Sequence, residues 1–297
     1  MLKNCKHELV KPLCKLWDAS FHHGIVPSKL KNCIITPTYK GGSKADAANY
    51  RPIALTSHLI KIFEKLLRNH IVKYMEENSL FNPNQHGFRK GHSCLSELLD
   101  HYEDIIDFLN DNKNVDVIYL DFAKAFDKVD FAIVLQKIKN LRVNEETLKW
   151  IQSFLTFRTQ KVVVNGQSSD EKQVISGVPQ GSVLGPLIFL ILLGDIDVNV
   201  QESKVRSFAD DTRALNGVQN LHDTSHLQND LNSIYEWTTT NNMKLNEVKF
   251  ELLRYGNDGH LMKTSQYFSP TNTVITEKST VKDLGVLMSA SIHLMTK

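Results

Sequence analysis

Apolar residues recur at steps of three and four in three stretches of the chain, and each stretch predicts an amphipathic helix. Leu59, Ile62, Phe63, Leu66, Leu67 and Ile71 form one apolar face. Leu95, Leu98, Leu99, Tyr102, Ile105, Ile106 and Leu109 form a second, and Leu227, Leu231, Ile234 and Trp237 a third. All three read as core seams. Shorter runs predict strands. Residues 115–120 read as a strand with a buried end. Lys161-Val162-Val163-Val164 runs into Asn165-Gly166, and Gln173-Val174-Ile175 returns; Asn-Gly between β-rich runs is a hairpin signal. Residues 205–209 and 212–215 read as two short strands joined by an acidic tip, Asp210-Asp211. Strands at 250–253 and 284–287 complete the set. Helices and strands mix without regular βαβ alternation, which predicts an α+β fold with an antiparallel sheet.

Composition narrows the class. The chain has 297 residues, 41% apolar and 23% charged, which excludes collagen-like, disordered and disulfide-scaffold proteins. The net charge of +2 hides a division: residues 1–95 carry +9 and the remainder −7. A basic front and an acidic back point to an anionic ligand and a carboxylate-rich site. Cys5, Cys14, Cys33 and Cys94 fall at no metal-binding spacing and read as reduced thiols. The start lacks a signal-peptide core, and the longest apolar run, residues 187–193, is far short of the ~20 residues a membrane helix needs. A soluble intracellular protein without a membrane partner is the expectation.

Three segments are candidates for chemistry. Asp121 ends an apolar strand, where a side chain protrudes from a sheet edge; a helix cap is the competing reading for a lone Asp, and it is preferred for Asp127, which precedes a helix-like stretch. Asp210 and Asp211 are adjacent carboxylates, which repel and raise each other's pKa. Turn chemistry explains one such Asp better than two. A divalent cation with oxygen ligands would offset the repulsion. If the strand ending at Asp121 lies beside the hairpin, the three carboxylates converge, and two ions about 3.5–4 Å apart could clamp an in-line displacement. The third segment, residues 176–186, holds three glycines and two prolines ahead of an apolar helix. It suits close approach to a ligand, with Gln180 as donor and acceptor, or is simply a stiff loop. Lys40, Arg51 and the Arg89-Lys90-Gly91-His92 cluster are cations with a phosphate-binding or a merely solvated role.

Taken in order, several motifs resemble the reverse transcriptase domain of non-LTR (LINE-type) retrotransposons of the broad jockey-like kind. They are Asn49-Tyr50-Arg51-Pro52-Ile53-Ala54-Leu55, Gln85-His86-Gly87-Phe88-Arg89, Leu120-Asp121-Phe122-Ala123-Lys124-Ala125-Phe126-Asp127, Gly177-Val178-Pro179-Gln180-Gly181, Phe208-Ala209-Asp210-Asp211, Asn241-Asn242-Met243-Lys244-Leu245-Asn246 with Lys249, and Lys282-Asp283-Leu284-Gly285-Val286. The resemblance implies a right-hand polymerase over residues 18–289, with about 1–114 mostly fingers, about 115–289 mostly palm, and 290–297 the start of a truncated thumb. It implies an RNA-directed DNA polymerase that adds dNTPs to a primer 3′-hydroxyl on an RNA template with two Mg²⁺ ions, or Mn²⁺ in their place. Asp121, Asp210 and Asp211 become the catalytic metal ligands. Phe126 becomes the steric gate against a 2′-hydroxyl. Arg51 becomes a triphosphate contact with Lys40 beside it, Gln180 and Gly181 the loop touching nucleotide and template, Lys249 the palm lysine assisting pyrophosphate, and Leu284-Gly285 the primer grip. Family membership implies action in the nucleus. Such domains usually follow an endonuclease, which this sequence does not contain. The alternative expectation is a truncated remnant that binds nucleic acid without catalysis.

Overall fold

A computed structural model describes residues 4–256 and 265–290. Of the expected thumb start at 290–297, residues 291–297 lie outside the described residues. In chain order the helices are α1 (Lys6–His22), α2 (His58–Glu77), α3 (Cys94–Asn110), α4 (Phe131–Asn140), α5 (Glu145–Leu155), α6 (Gly185–Leu193) and α7 (Leu221–Thr240). The strands are β1 (Cys33–Tyr39), β2 (Tyr50–Leu55), β3 (Asn114–Leu120), β4 (Arg158–Val164), β5 (Gln167–Ser168), β6 (Lys172–Val174), β7 (Lys204–Phe208), β8 (Asp211–Val218), β9 (Glu251–Tyr255), β10 (Thr276–Lys278), β11 (Thr280–Asp283) and β12 (Val286–Ser289). The mixed α+β class expected from the pattern holds, but the sheets are not purely antiparallel: β4 runs parallel to β1 and β10 parallel to β9. Chain contacts divide the protein into two compact units, Met1–Phe81 with Phe126–Leu192 and Asn82–Ala125 with Leu193–Lys297.

The first unit contains a sheet in the order β2-β1-β4-β5, with β6 also on β4. Asn165 and Gly166, at φ 50° and 79°, form the two-residue turn between β4 and β5, as the Asn-Gly signal predicts. Helices α1, α2 and α5 meet through a run of rings: Trp17 on Phe63 (4.6 Å between centroids), Phe63 on Trp150 (4.9 Å) and Trp150 on Phe154 (5.7 Å). The buried face of α2 is Ile60, Phe63, Glu64, Leu67, Ile71 and Met75, while Ile62 and Leu66 are exposed. The expected stripe is therefore turned by about one position, because Glu64 lies inside. Its Oε2 accepts hydrogen bonds from Val183 N (2.7 Å) and Leu184 N (2.9 Å), just ahead of α6, where amide groups lack helical partners. At the other end of α6, Lys137 Nζ donates to Leu192 O (2.6 Å). An anion at the start and a cation at the end suit the helix dipole. Between them every residue of 187–193 is buried, which explains a helix apolar all round.

The second unit is organised on a sheet in the order β10-β9-β3-β8-β7. The central strand β3 runs antiparallel to β8 and β9. Val115, Val117, Leu215, Leu253 and Tyr255 pack with Leu98 and Ile105 of α3 and with Val281 and Met288. The third predicted seam is correct: Leu227, Leu231, Ile234 and Trp237 of α7 are all buried. The second is corrected. Leu95 and Leu99 of α3 are exposed, and Glu97, His101 and Asp104 are buried beside Leu98 and Ile105. The cause is polar pairing. Asp104 accepts from Arg206 Nε (2.6 Å) and Nη2 (3.0 Å) and from Lys204 Nζ (2.7 Å), tying α3 to β7. The single strand expected at 284–287 is divided. Asp283 pairs with Val286, and Leu284 (φ 45°) and Gly285 (φ 90°) form the turn between β11 and β12. Two left-handed residues in succession define this tight hairpin.

Candidate active site

In the second unit, β3 and β8 pair in a register that sets Leu120 opposite Thr212. One further step along that register brings Asp121 opposite Asp211. Strands β7 and β8 pair up to Phe208 and Asp211, leaving Ala209 and Asp210 as the turn. The three expected carboxylates thus arrive at one end of the antiparallel strands β3, β8 and β7. Asp121 and Asp211 line a cleft of about 490 Å³ together with Lys249, Asp283, Leu284 and Gly285. Residues 244–246 run beside 121–123: Asn246 N donates to Asp121 O, and Ala123 N donates to Lys244 O, both at 2.8 Å. That pairing holds the Asp121 backbone beyond the end of β3. The short 3₁₀ turn Glu247–Lys249 follows and delivers the Lys249 ammonium to 3.1 and 3.2 Å from the two Asp121 oxygens.

The electrostatics are those of crowded anions. The Asp211 carboxyl is pushed up to about 6, first by its burial and then by the charges of Asp210, Asp283 and Asp121. The repulsion by the like charges of Asp210, Asp283 and Asp121 is the part of this cost that a bound cation would remove. The donor atoms are all carboxylate oxygens, which matches a hard divalent ion. The neighbouring ammonium shows that the same place already attracts positive charge.

The expected primer-grip residues, Leu284 and Gly285, form the turn of the β11–β12 hairpin in the same unit. Sequence reasoning overlooked what anchors this hairpin. Arg213, buried on β8 two residues from Asp211, pairs through Nη1 with buried Asp283. Its Nη2 lies 3.4 Å from Glu97 on α3. A lone arginine inside the short strand-like run 212–215 was the available signal, since a charge in a central strand needs a partner.

In the first unit, Arg51 lies on β2 opposite Thr38 of β1, and Lys40 N donates to Asn49 O (2.8 Å) past the end of that pairing. Two residues beyond Thr38, Lys40 shares the face of Arg51. Both are exposed. The loop before α6 is built onto two neighbours. Gln180 O accepts from Ala54 N (2.7 Å) on β2, and Val178 N donates to Phe126 O (2.8 Å). Gly181 has φ 111°, and a Cβ there would meet Ala54 O at 2.9 Å, so the approach requires glycine. The ring of Phe126 stacks on Phe189, 4.4 Å between centroids and 21° between planes. The cap reading of Asp127 is corrected. Asp130 caps α4, accepting from Ala132 N (2.9 Å) and Ile133 N (3.1 Å), whereas Asp127 Oδ1 accepts from Gln180 Nε2 (2.9 Å). The residue nearest the helix start wins because only its side chain reaches the first free amides.

Residues 40–288 match the family model described as reverse transcriptase (RNA-dependent DNA polymerase). The chain is 29% identical over 254 residues to the RNA-directed DNA polymerase from mobile element jockey of Drosophila melanogaster, covering 82% of this chain and 28% of the relative. It is 31% identical to the probable RNA-directed DNA polymerase from transposon X-element of the same organism, covering 84% of this chain and 28% of the relative. The chain therefore spans little more than a quarter of the length of these relatives. Among solved structures, apo telomerase from Candida tropicalis truncated from its C-terminal domain matches with a TM-score of 0.62 at 13% identity, covering 96% of this chain and 59% of that one; this is a likeness of fold. With the family model spanning most of its length and three carboxylates at the end of the antiparallel strands β3, β8 and β7, the chain belongs to the reverse transcriptase family.

Proposed function

We propose that this chain is the polymerase domain of a non-LTR mobile element and catalyses RNA-templated addition of dNTPs to a DNA primer. The observation that supports this most is the convergence of Asp121 with Asp210-Asp211 at one end of the β3–β8–β7 sheet. Reverse transcriptases work with divalent metal ions; here two Mg²⁺ ions, or Mn²⁺, held by Asp121, Asp210 and Asp211 would lower the pKa of the primer 3′-hydroxyl and neutralise the departing pyrophosphate.

The chain's own residues divide the remaining work, which is positioning and charge neutralisation more than covalent chemistry. Lys249 supplies a cation and a proton for the pyrophosphate; its side chain is 63% exposed and so able to leave Asp121. Arg51 and Lys40 bind the triphosphate. Phe126, held by its stack on Phe189, excludes a ribose 2′-hydroxyl. Gln180, fixed by Asp127, and Gly181 contact nucleotide and template. Leu284 and Gly285 grip the primer end. In this reading about 1–114 serve mostly as fingers and about 115–289 mostly as palm, and the resemblance to mobile-element polymerases supports action in the nucleus. Among the described residues no helix is long and apolar enough to cross a membrane.

The test is primer extension by the 297-residue chain on a primed RNA template with dNTPs and Mg²⁺. Asp210→Ala should abolish incorporation while the circular dichroism spectrum stays unchanged. Incorporation that survives this change would falsify the site.

A further inference from the structure

The turn that carries Asp210 is held by one side chain from elsewhere in the second unit. Gln85 is 5% exposed. Its Oε1 accepts from Ala209 N (2.7 Å) and from Gly87 N (2.8 Å), and its Nε2 donates to Ala209 O (3.0 Å). Both peptide groups of Ala209 are thus satisfied by one amide. A carboxylate could not donate, and an apolar side chain could do neither. Ala209 needs such support, because it sits at φ 57°, a left-handed conformation that a residue with a Cβ adopts at a cost. The segment around Gln85 is itself laid along the edge strand: His86 N donates to Ser207 O and Ser207 N donates to Asn84 O, both at 2.9 Å. Gly87 completes the fit, since a Cβ there would come within 2.3 Å of Ala209 N.

We propose that Gln85 is a positioning residue for the metal-binding turn: by fixing both peptide groups of Ala209 it sets the directions in which Asp210 and Asp211 leave the β7–β8 hairpin. The proposal rests on the reading of those carboxylates as metal ligands. Partners that orient a metal's ligands typically govern affinity by 10–100-fold.

The test is binding of Mn²⁺ alone to the full chain, followed by electron paramagnetic resonance of the free ion, with a thermal melt on the same samples. Gln85→Met should weaken Mn²⁺ binding by about tenfold or more in protein that is still folded. Gln85→Glu keeps an acceptor for the two N–H groups but loses the donor to Ala209 O, and should fall between Gln85→Met and the wild type. Should Gln85→Met fail to fold, Gln85→Glu decides by the same readout. Folded variants that bind Mn²⁺ as the wild type does, beside an Asp210→Ala control that has lost it, would overturn the positioning role and leave the carboxylate site standing. An Asp210→Ala control that also binds normally would overturn the carboxylate site itself.

Discussion

The Lys249 ammonium lies within 3.2 Å of both carboxylate oxygens of Asp121, so the lysine and a divalent ion compete for the same two atoms. An exposed ion pair of this kind adds little stability, which leaves room for a functional role. Lys249→Met should therefore tighten divalent-ion binding several-fold, because the competing charge is gone. It should also lower the rate of nucleotide addition about a hundredfold, the scale of a lost general acid. Calorimetric titration with Mg²⁺ and single-turnover extension check the two halves. No change in either would reduce the pair to a surface contact.

The stack of Phe126 on Phe189 fixes the plane of the first ring. Phe126→Ala removes the ring and should raise incorporation of ribonucleotides relative to deoxynucleotides at least about tenfold, a discrimination of the size one steric contact supplies. Competition between dNTP and NTP on one primer measures this directly. Unchanged sugar selectivity would count against the gate.

Glu64 is wholly buried and serves two amides at the head of α6. Glu64→Ala leaves both donors unsatisfied and opens a cavity, and should cost about 3 kcal/mol. Glu64→Gln retains one acceptor and should cost about 1 kcal/mol. Urea midpoints at constant slope give the comparison, and equal losses for the two variants would contradict the capping role.

Two buried groups on α3 give opposite pH dependences. Burial pushes Glu97 up to about 7 from the usual 4.5, against the opposing pull of Arg213. The unfolded chain loses this proton first. Between pH 4.5 and 7 a rising pH therefore favours unfolding, by of order 3 kcal/mol in all. His101 is held well below 6.5 by burial and by the charges of Arg213 and Arg206. The unfolded chain gains this proton first, so a falling pH below about 6.5 also favours unfolding. Between pH 4.5 and 6.5 the two contributions oppose each other, so in denaturation across this range Glu97→Gln should unmask a stability that rises with pH and His101→Phe one that falls with pH. The reverse assignment of slopes would refute the burial argument.

Much of the site was legible from local chemistry. A short apolar strand with a buried end running up to Asp121, and a hairpin that carries Asp210 at its tip and Asp211 one residue on, follow from segment composition and turn preference, which act over a few residues. The Asn165-Gly166 turn was readable for the same reason. The α2 and α3 stripes were misjudged because periodicity counts apolar residues alone. Glu64, Glu97 and Asp104 lie inside only because Val183, Arg213 and Arg206 wait for them at sequence distances of about a hundred residues.

Propensity, period and side-chain chemistry are properties of short segments, so the elements outlined from the sequence, the α+β class and the residue types suited to metal and phosphate were readable before the fold. The tertiary structure alone decided which way α2 and α3 turn, that Asp130 and not Asp127 caps α4, that Arg213 anchors the Asp283 hairpin, and that Gln85 holds the turn before Asp210. Each of these depends on a buried polar group finding its one partner. A desolvated charge or amide is costly unless paired, and only the folded chain brings the partners together.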